Sequence, residues 1–430
     1  MSKDKHIPQG YKDSSLGIIP KEWEVKRLGD CTELLTNGFV GVATPHYTED
    51  NDGITYIQGF NVIEGGFNLT GIKKVTKAFH EKNKKSSLLE GDLLTIQTGD
   101  IGLTTMVPKE LEGSNCHALI ISRFKRIIIP RFMLYYYNSS IGRNRFRVIE
   151  TGTTMKHLNT GDLYKFLIPV PSISEQESII RIIQLWDTAI EKHSKLIEKL
   201  TLRKRALMQK LLTGKKRLPG FSEKWQEKRL GEIGMFLSNN TLSREQLNAS
   251  NGDVYCIHYG DVLIKYPSII DCEKEIMPFI NENAYKESMT DFLENGDIII
   301  SDTAEDETVG KACEIQNVGN KKILAGLHTM LLRPNKGLFA PCFLGYYINS
   351  EAYHKKLIPL IQGIKVCSIG KMAIQNTLIT IPNVKEQNAI ASVLVKADKE
   401  IELANAKLAK LKSQKRGLMQ QLLTGKKRIE

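Results

Sequence analysis

The chain has 430 residues, 41% of them hydrophobic and 25% charged, which is enough apolar material for two ordinary globular domains and too much for wholesale disorder. No apolar run approaches the ~18 residues of a membrane span, and the opening MSKDKHIPQG lacks the apolar core of a secretion signal. Seven scattered cysteines argue against a disulfide framework and point to a reducing cytoplasm, while lysine and arginine exceed the acids by 60 − 48 = 12, which fits a polyanionic partner.

In chain order, an arm over 1–20 leads into a first mixed domain over 21–171. Strand-type runs at 54–58, 93–97, 119–124 and 166–170 are separated by turn signals, and a helical stretch lies near 131–146. Arg123, Lys125, Arg126, Arg131, Arg143, Arg145 and Arg147 form a basic cluster with no acid between Glu112 and Glu150. Arginine suits both phosphates and guanine edges. Tyr135, Tyr136 and Tyr137 interrupt the cluster and are expected to pack inward. The lysines at 73, 74, 77, 82, 84 and 85 read as a solvated face.

A long helix follows over 172–213. Ser172 stands three residues before Glu175, the spacing of a capping box. Apolar residues then alternate by four and three through Ile179, Ile183, Trp186, Ile190, Ile197 and Leu200, with His193 as a half-buried member. That is a heptad seam. Lys204 falls on the seam, where a lone polar residue can fix register at some cost in stability; snorkelling to water is the favoured expectation. From Lys199 to Arg217 there are eight basic residues and no acid, more than a helix dipole requires.

A second domain over 214–382 repeats the plan, with strand-type runs at 254–258, 298–301, 328–332 and 377–381 and a helical stretch near 342–357. A second long helix over 383–425 opens with Asn383 and Glu386. It carries the seam Ile390, Leu394, Ala397, Ile401, Ala404, Leu408 and Leu411, with Lys415 matching Lys204. A basic tail, 426–430, closes the chain.

The two helices are copies. Over 175–218 and 386–429, 20 of 44 positions are identical, at an offset of 418 − 207 = 211. The same offset aligns Asn138-Ser139 with Asn349-Ser350 and His117 with His328, whereas roughly 31–88 and 233–292 show no convincing similarity. Repeated tails with dissimilar fronts suggest one shared job and two versions of another. Each helix, about 38 residues and roughly 57 Å long, needs a partner for its stripe, and the other copy is the natural one. Pseudo-twofold symmetry favours an antiparallel pair, with bulky Trp186 and His193 able to interlock with small Ala397 and Ala404. Gly214 and Gly425 are the expected stops.

No phosphate loop, HExxH, metal-type Cys/His pair or GxSxG elbow occurs, and the two TGKK runs lack the first glycine of a phosphate loop. Asp271, Glu273 and Lys274 faintly suggest a metal-nuclease cluster but fit a charged surface better. The pattern is that of a binder, not an enzyme.

The order of variable domain, Glu-Gln-initiated helix, variable domain and Glu-Gln-initiated helix resembles the specificity subunit of type I restriction–modification systems. The segments Gly17-Ile-Ile-Pro20-Lys-Glu-Trp23, Gly91-Asp92 and Gly296-Asp297 carry the resemblance, together with the Gly-Thr loop Thr151 to Leu158 and the approaches IPVPSISEQ and ITIPNVKEQ. The second copy of the loop departs, reading Gln362-Gly-Ile-Lys-Val-Cys-Ser-Ile369. The resemblance implies an α+β fold with two strand-rich target recognition domains and an antiparallel coiled-coil spacer. Each domain would read half of a split, asymmetric site on double-stranded DNA. Two modification subunits bringing S-adenosylmethionine would dock on the chain, and restriction subunits with ATP and Mg would complete the complex. The chain itself would hold no cofactor, metal or membrane contact. Candidates for DNA contact are Arg123, Lys125, Arg126, Arg143, Arg145, Arg147, Thr153, Lys156, His157, Lys365 and Lys371. An orphan or inhibitory specificity chain and a coiled-coil adaptor without base-specific binding remain as alternatives.

Overall fold

The computed structural model describes residues 6–152, 156–286 and 290–429. The chain divides into two units, residues 1–194 with 407–430, and residues 195–406.

The first unit is built on a four-stranded antiparallel sheet in the order Thr104–Met106, Leu93–Ile96, Leu119–Phe124, Thr32–Asn37. All four residues of Leu93–Ile96 are buried, so that run is apolar throughout apart from Thr95, with no polar face to show. A second sheet joins Asn115–Cys116, Ile54–Ile57 and Lys73–Val75. The expected helical stretch is two helices, Pro130–Asn138 and Ser140–Ile149. The break falls at Ser139, whose backbone is extended and whose hydroxyl accepts from Gly142 N at 3.1 Å, starting a new helix. A Cβ on Gly142 would lie 2.1 Å from the Tyr136 carbonyl, so a side chain there would force the turn apart. Tyr135, Tyr136 and Tyr137 are all buried.

The second unit has a five-stranded sheet in the order Gly234–Leu237, Thr329–Pro334, Ile298–Ser301, Ala312–Gln316, Ile269–Asp271. A four-stranded sheet joins Leu247–Asn248, Phe279–Ile280, Val254–Ile257 and Lys322–Ala325. Its paired helices, Phe343–Ile348 and Glu351–Leu357, are parted by Ser350, which caps Tyr353 N as Ser139 caps Gly142 N.

A two-strand ribbon ends each front part, Leu167–Val170 against Glu24–Arg27 and Leu378–Ile381 against Gln226–Arg229. Each ribbon runs through a proline into a 39-residue helix, Ile173–Leu211 or Val384–Leu422. Gly214 and Gly425 follow the ends at φ +69° and +68°, a left-handed backbone that glycine adopts without strain. The helix starts are only half of a capping box. Ser172 Oγ and Asn383 Oδ1 accept from Glu175 N and Glu386 N at 3.3 and 2.9 Å, but both glutamate carboxylates turn elsewhere.

In the first unit Glu175 accepts from Trp23 Nε1 at 2.9 Å and from Arg428 Nε at 2.8 Å. In the second, Glu386 accepts from Trp225 Nε1 at 3.1 Å and from Arg217 at 2.5 and 2.6 Å. The neighbouring glutamines are fully buried. Gln176 accepts from Ile129 N at 2.8 Å and donates to Ile127 O and Pro171 O at 2.9 and 3.0 Å. Gln387 accepts from Ala340 N at 2.9 Å and donates to Leu338 O and Pro382 O at 3.2 and 2.9 Å. One turn of chain ahead of each front helix is thereby fixed to the long helix.

A third joint corrects the expectation for the seam lysines. Lys415 pairs with Asp187 at 2.5 Å, Asp187 accepts from Tyr135 OH at 2.6 Å, and the ammonium sits 5.6 Å from the Tyr135 ring centre. In the second unit Lys204 pairs with Asp398, which accepts from Tyr346 OH at 2.6 Å, and Lys204 lies 5.3 Å from that ring. Burial first, and the carboxylate acceptor second, push both phenols up, so they remain donors. The lysines are tied across the seam to an acid rather than released to water.

These pairs fix direction and register within each unit. In the first, Glu175 and Asp187 meet Arg428 and Lys415, so rising numbers on one segment meet falling numbers on the other. In the second, Asp398 and Glu400 meet Lys204 and Arg203 in the same sense. Both pairings are antiparallel. Trp186 is therefore level with Arg416, and Ala397 with Arg205. The seam residues Ile179, Ile183, Ile390, Leu394 and Ala397 are buried, and Trp186, Ile190, Ile197, Leu200, Ile401, Leu408 and Leu411 are half-buried.

Replacing Gln387 by alanine strands Ala340 N and two carbonyls in a dry site, at about 1–3 kcal/mol for each orphaned group. Q387A and Q176A should each lower the thermal unfolding midpoint by several degrees. Q176E, which cannot donate to Ile127 O and Pro171 O when ionised, should not restore it. Calorimetry checks both.

Candidate nucleic-acid interface

The basic runs at the helix ends are partly consumed by the fold. Of the eight cations from Lys199 to Arg217, Arg203, Lys204, Arg205 and Arg217 pair with Glu400, Asp398, Glu351 and Glu386. Lys199, Lys210, Lys215 and Lys216 are exposed. In the second run Lys415 and Arg428 are paired with acids, while Lys407, Lys410, Lys412, Arg416, Lys426 and Lys427 are exposed.

The arginine cluster of the first unit splits in the same way. Arg123 makes a two-pronged bond to buried Asp92, at 2.8 and 2.7 Å, and the Asp92 carboxylate also caps Leu89 N at 2.8 Å. The second unit repeats this with Arg333 and Asp297 at 2.9 and 2.7 Å. Burying a carboxylate demands such a partner, so the Gly-Asp turns and these arginines form one structural unit. Arg145 donates to Tyr136 OH at 2.5 Å and lies 4.5 Å from the Phe166 ring centre. Arg143 pairs with Asp100, and Lys125 bonds Asp30 O at 2.9 Å. Arg126 and Arg147 are exposed, with Arg147 reaching only Asn144 Oδ1 at 3.3 Å.

Lys156 and His157 are exposed at the isolated Thr151–His157 bridge, with Lys156 3.7 Å from Glu150; Thr153 lies outside the described residues. In the second unit Lys365 is exposed on a hairpin, and Lys371 donates to Phe236 O at 3.2 Å while capping that ring. The structure thus places Lys156 and His157 at one bridge and gathers Arg143, Arg145 and Arg147 on one helix, while Arg123 stands apart in the sheet. Asp271 is bonded to Lys274 and to Asn317.

Sequence reasoning missed a polar group at the head of an interior strand in each unit, Leu119–Phe124 and Thr329–Pro334. His117 and His328 occupy matching places there. Tyr56 OH lies 3.1 Å from His117 Nδ1, and burial pulls that imidazole's pKa down, leaving it neutral. His328 Nδ1 lies 3.3 Å from Thr303 Oγ1, and its ring meets Tyr259 edge-on at 5.3 Å. Nearby, Arg244 makes two bonds to Asp261 at 2.9 and 2.8 Å. The offset of 211 had already aligned the two histidines; what it did not show is the tyrosine or threonine that meets each one.

Comparison with known proteins gives this geometry its family. The model for the type I restriction modification DNA specificity domain matches residues 20–202 and again 222–413. The type I restriction enzyme MjaVIII specificity subunit of Methanocaldococcus jannaschii is 24% identical over 443 residues, covering 99% of this chain and 98% of its own. A chain solved in work on complex assembly and conformational transition of the type I R-M system has the same fold, with a TM-score of 0.63 at 19% identity over 95% of this chain and 99% of that one. The HsdS subunit from Thermoanaerobacter tengcongensis aligns with a TM-score of 0.50 at 18% identity, over 95% and 98%. With two matched copies of the domain spanning most of its length, the chain belongs to the family of type I restriction–modification specificity subunits, the component that recognises DNA sequence.

Proposed function

We propose that this chain reads a bipartite, asymmetric DNA site, one half with residues 21–171 and the other with residues 214–382, while the helices over 172–213 and 383–425 set the gap between halves. It directs two modification subunits to methylate adenine, and restriction subunits to act, at the site so chosen. One observation carries this reading: two unlike strand-rich bodies are mounted through the same three joints on copies of the same helix. Glu175 and Glu386, Gln176 and Gln387, and Asp187 and Asp398 repeat their bonds, whereas the sheets differ in strand number and order. A mount held constant under variable readers suits a molecule whose specificity changes and whose docking does not.

Unlike readers give a non-palindromic site, where a homodimer gives a palindrome. A helix of 39 residues is about 58 Å long, enough to hold readers the ~34–36 Å apart that one DNA turn requires. No helix among the described residues is long and apolar enough to cross a membrane.

Methylome sequencing of cells with and without the gene should reveal one split adenine motif that depends on it; absence of any such motif would falsify the reading. Adding one heptad, about 10.5 Å, to both long helices should widen the unread gap by about three base pairs at 3.4 Å each and leave both half-sites unchanged. R147A should weaken DNA binding about equally for all sequences and lower the salt slope by about one. R123A should instead lower thermal stability through Asp92, and titration against cognate and scrambled duplexes separates the two effects.

A further inference from the structure

The least expected side chain of the second unit is at the tip of a hairpin. Ile364 is 98% exposed and Val366, two residues on, 60% exposed. Lys365 between them is also exposed. The hairpin is no loose loop. Gln362 and Ser368 exchange both backbone bonds at 2.9 Å, and Ile369 N donates to Asp302 O at 2.9 Å. Ser368 and Cys367 also pair with Thr303 and Ala304. Cys367 and Ile369 are buried at its base. Gly363 sits at φ +95°, where a Cβ would lie 2.0 Å from Val366 O, so the tight turn depends on glycine. A firmly anchored turn therefore holds an isoleucine in water, which the fold itself gives no reason to do.

The base of the hairpin is polar. Thr303, paired across from Ser368, lies 3.3 Å from His328 Nδ1 and donates to Asp302 Oδ1 at 2.8 Å; that carboxylate lies 3.4 Å from His328 Nδ1, and the His328 side chain is 46% exposed. An apolar tip with a cation beside it, above an imidazole and a hydroxyl that share the Asp302 carboxylate, has the chemistry of a side chain that enters DNA. Apolar wedges part a base step from the minor groove while neighbouring cations hold phosphates.

We infer that Ile364 is a wedge of the second recognition domain, inserted between adjacent base pairs of its half-site, with Lys365 on the flanking phosphate. The inference rests on the DNA-reading function proposed above and adds a specificity determinant to it. The step that accepts the wedge is one that unstacks readily, so selection at that step comes from deformability rather than base-edge bonds. In sequence, Thr153 stands at the matching position of the first copy, so the device belongs to one half of the chain.

The test uses the full chain with its modification subunits and duplexes carrying 2-aminopurine at successive steps of the second half-site. The wild type should brighten the probe at one step away from the methylated adenine. I364A and I364T should lose that signal and bind the cognate duplex about tenfold more weakly, with unchanged affinity for scrambled DNA and an unchanged salt slope. K365A should keep the signal and lower the slope by about one. A wild-type complex that recognises its site with no step brightened, or an I364A complex that binds as the wild type does, overturns the wedge alone. Loss of the modification subunits from I364A on purification overturns it too, because the tip then docks protein. A wild-type complex that recognises no split site overturns the underlying reading along with the wedge.

Discussion

A carboxylate and an amide at the start of each long helix carry the architecture. The glutamate collects an indole N–H and a guanidinium, and the buried glutamine satisfies three backbone groups of the chain entering the front helix. Buried polar groups are costly unless every one is bonded, so the Glu-Gln pair admits few alternatives and recurs in both units. The tyrosine, aspartate and lysine joint lies further along the same helix and adds register to attachment. Together these bonds orient the front helices and, through them, the sheets whose outer loops face DNA in the proposed function.

The repeat explains which polar contacts are structural. Arg123 with Asp92 and Arg333 with Asp297 make the same two-pronged bond in domains whose other loops share little. A feature kept in both units serves what the units share, and a feature found in one serves what they do not. By that criterion the pair of Arg244 with Asp261 and the Ile364 tip set the second unit apart from the first, whereas part of the basic charge at the helix ends belongs to assembly of the chain itself.

Much of the fold was legible in the sequence. The strands at 93–96, 119–124 and 298–301 are buried apolar runs between turn residues, and the seam could be read from its spacing because both periods are local properties. The two-helix break was not legible, since it depends on how close Gly142 comes to Tyr136 O. The fate of Lys204 and Lys415 was hidden for a similar reason. Their partners Asp398 and Asp187 lie far away in sequence, and helical spacing describes one rod at a time. Arg123 looked available because no acid stood within the cluster, yet Asp92 is brought to it by pairing of Leu119–Phe124 with Leu93–Ile96.

The order in which the chain emerges during synthesis follows from the division into units. Residues 195–406 are contiguous and have all their parts once Ala406 has been made. The other unit must wait for 407–430, including Lys415 and Arg428, the partners of Asp187 and Glu175. At ~5–20 residues per second, the 212 residues from 195 to 406 impose a delay of roughly 10–40 s. The body translated first is therefore the last to be closed, and until the final segment arrives Glu175 and Asp187 stand without their cations.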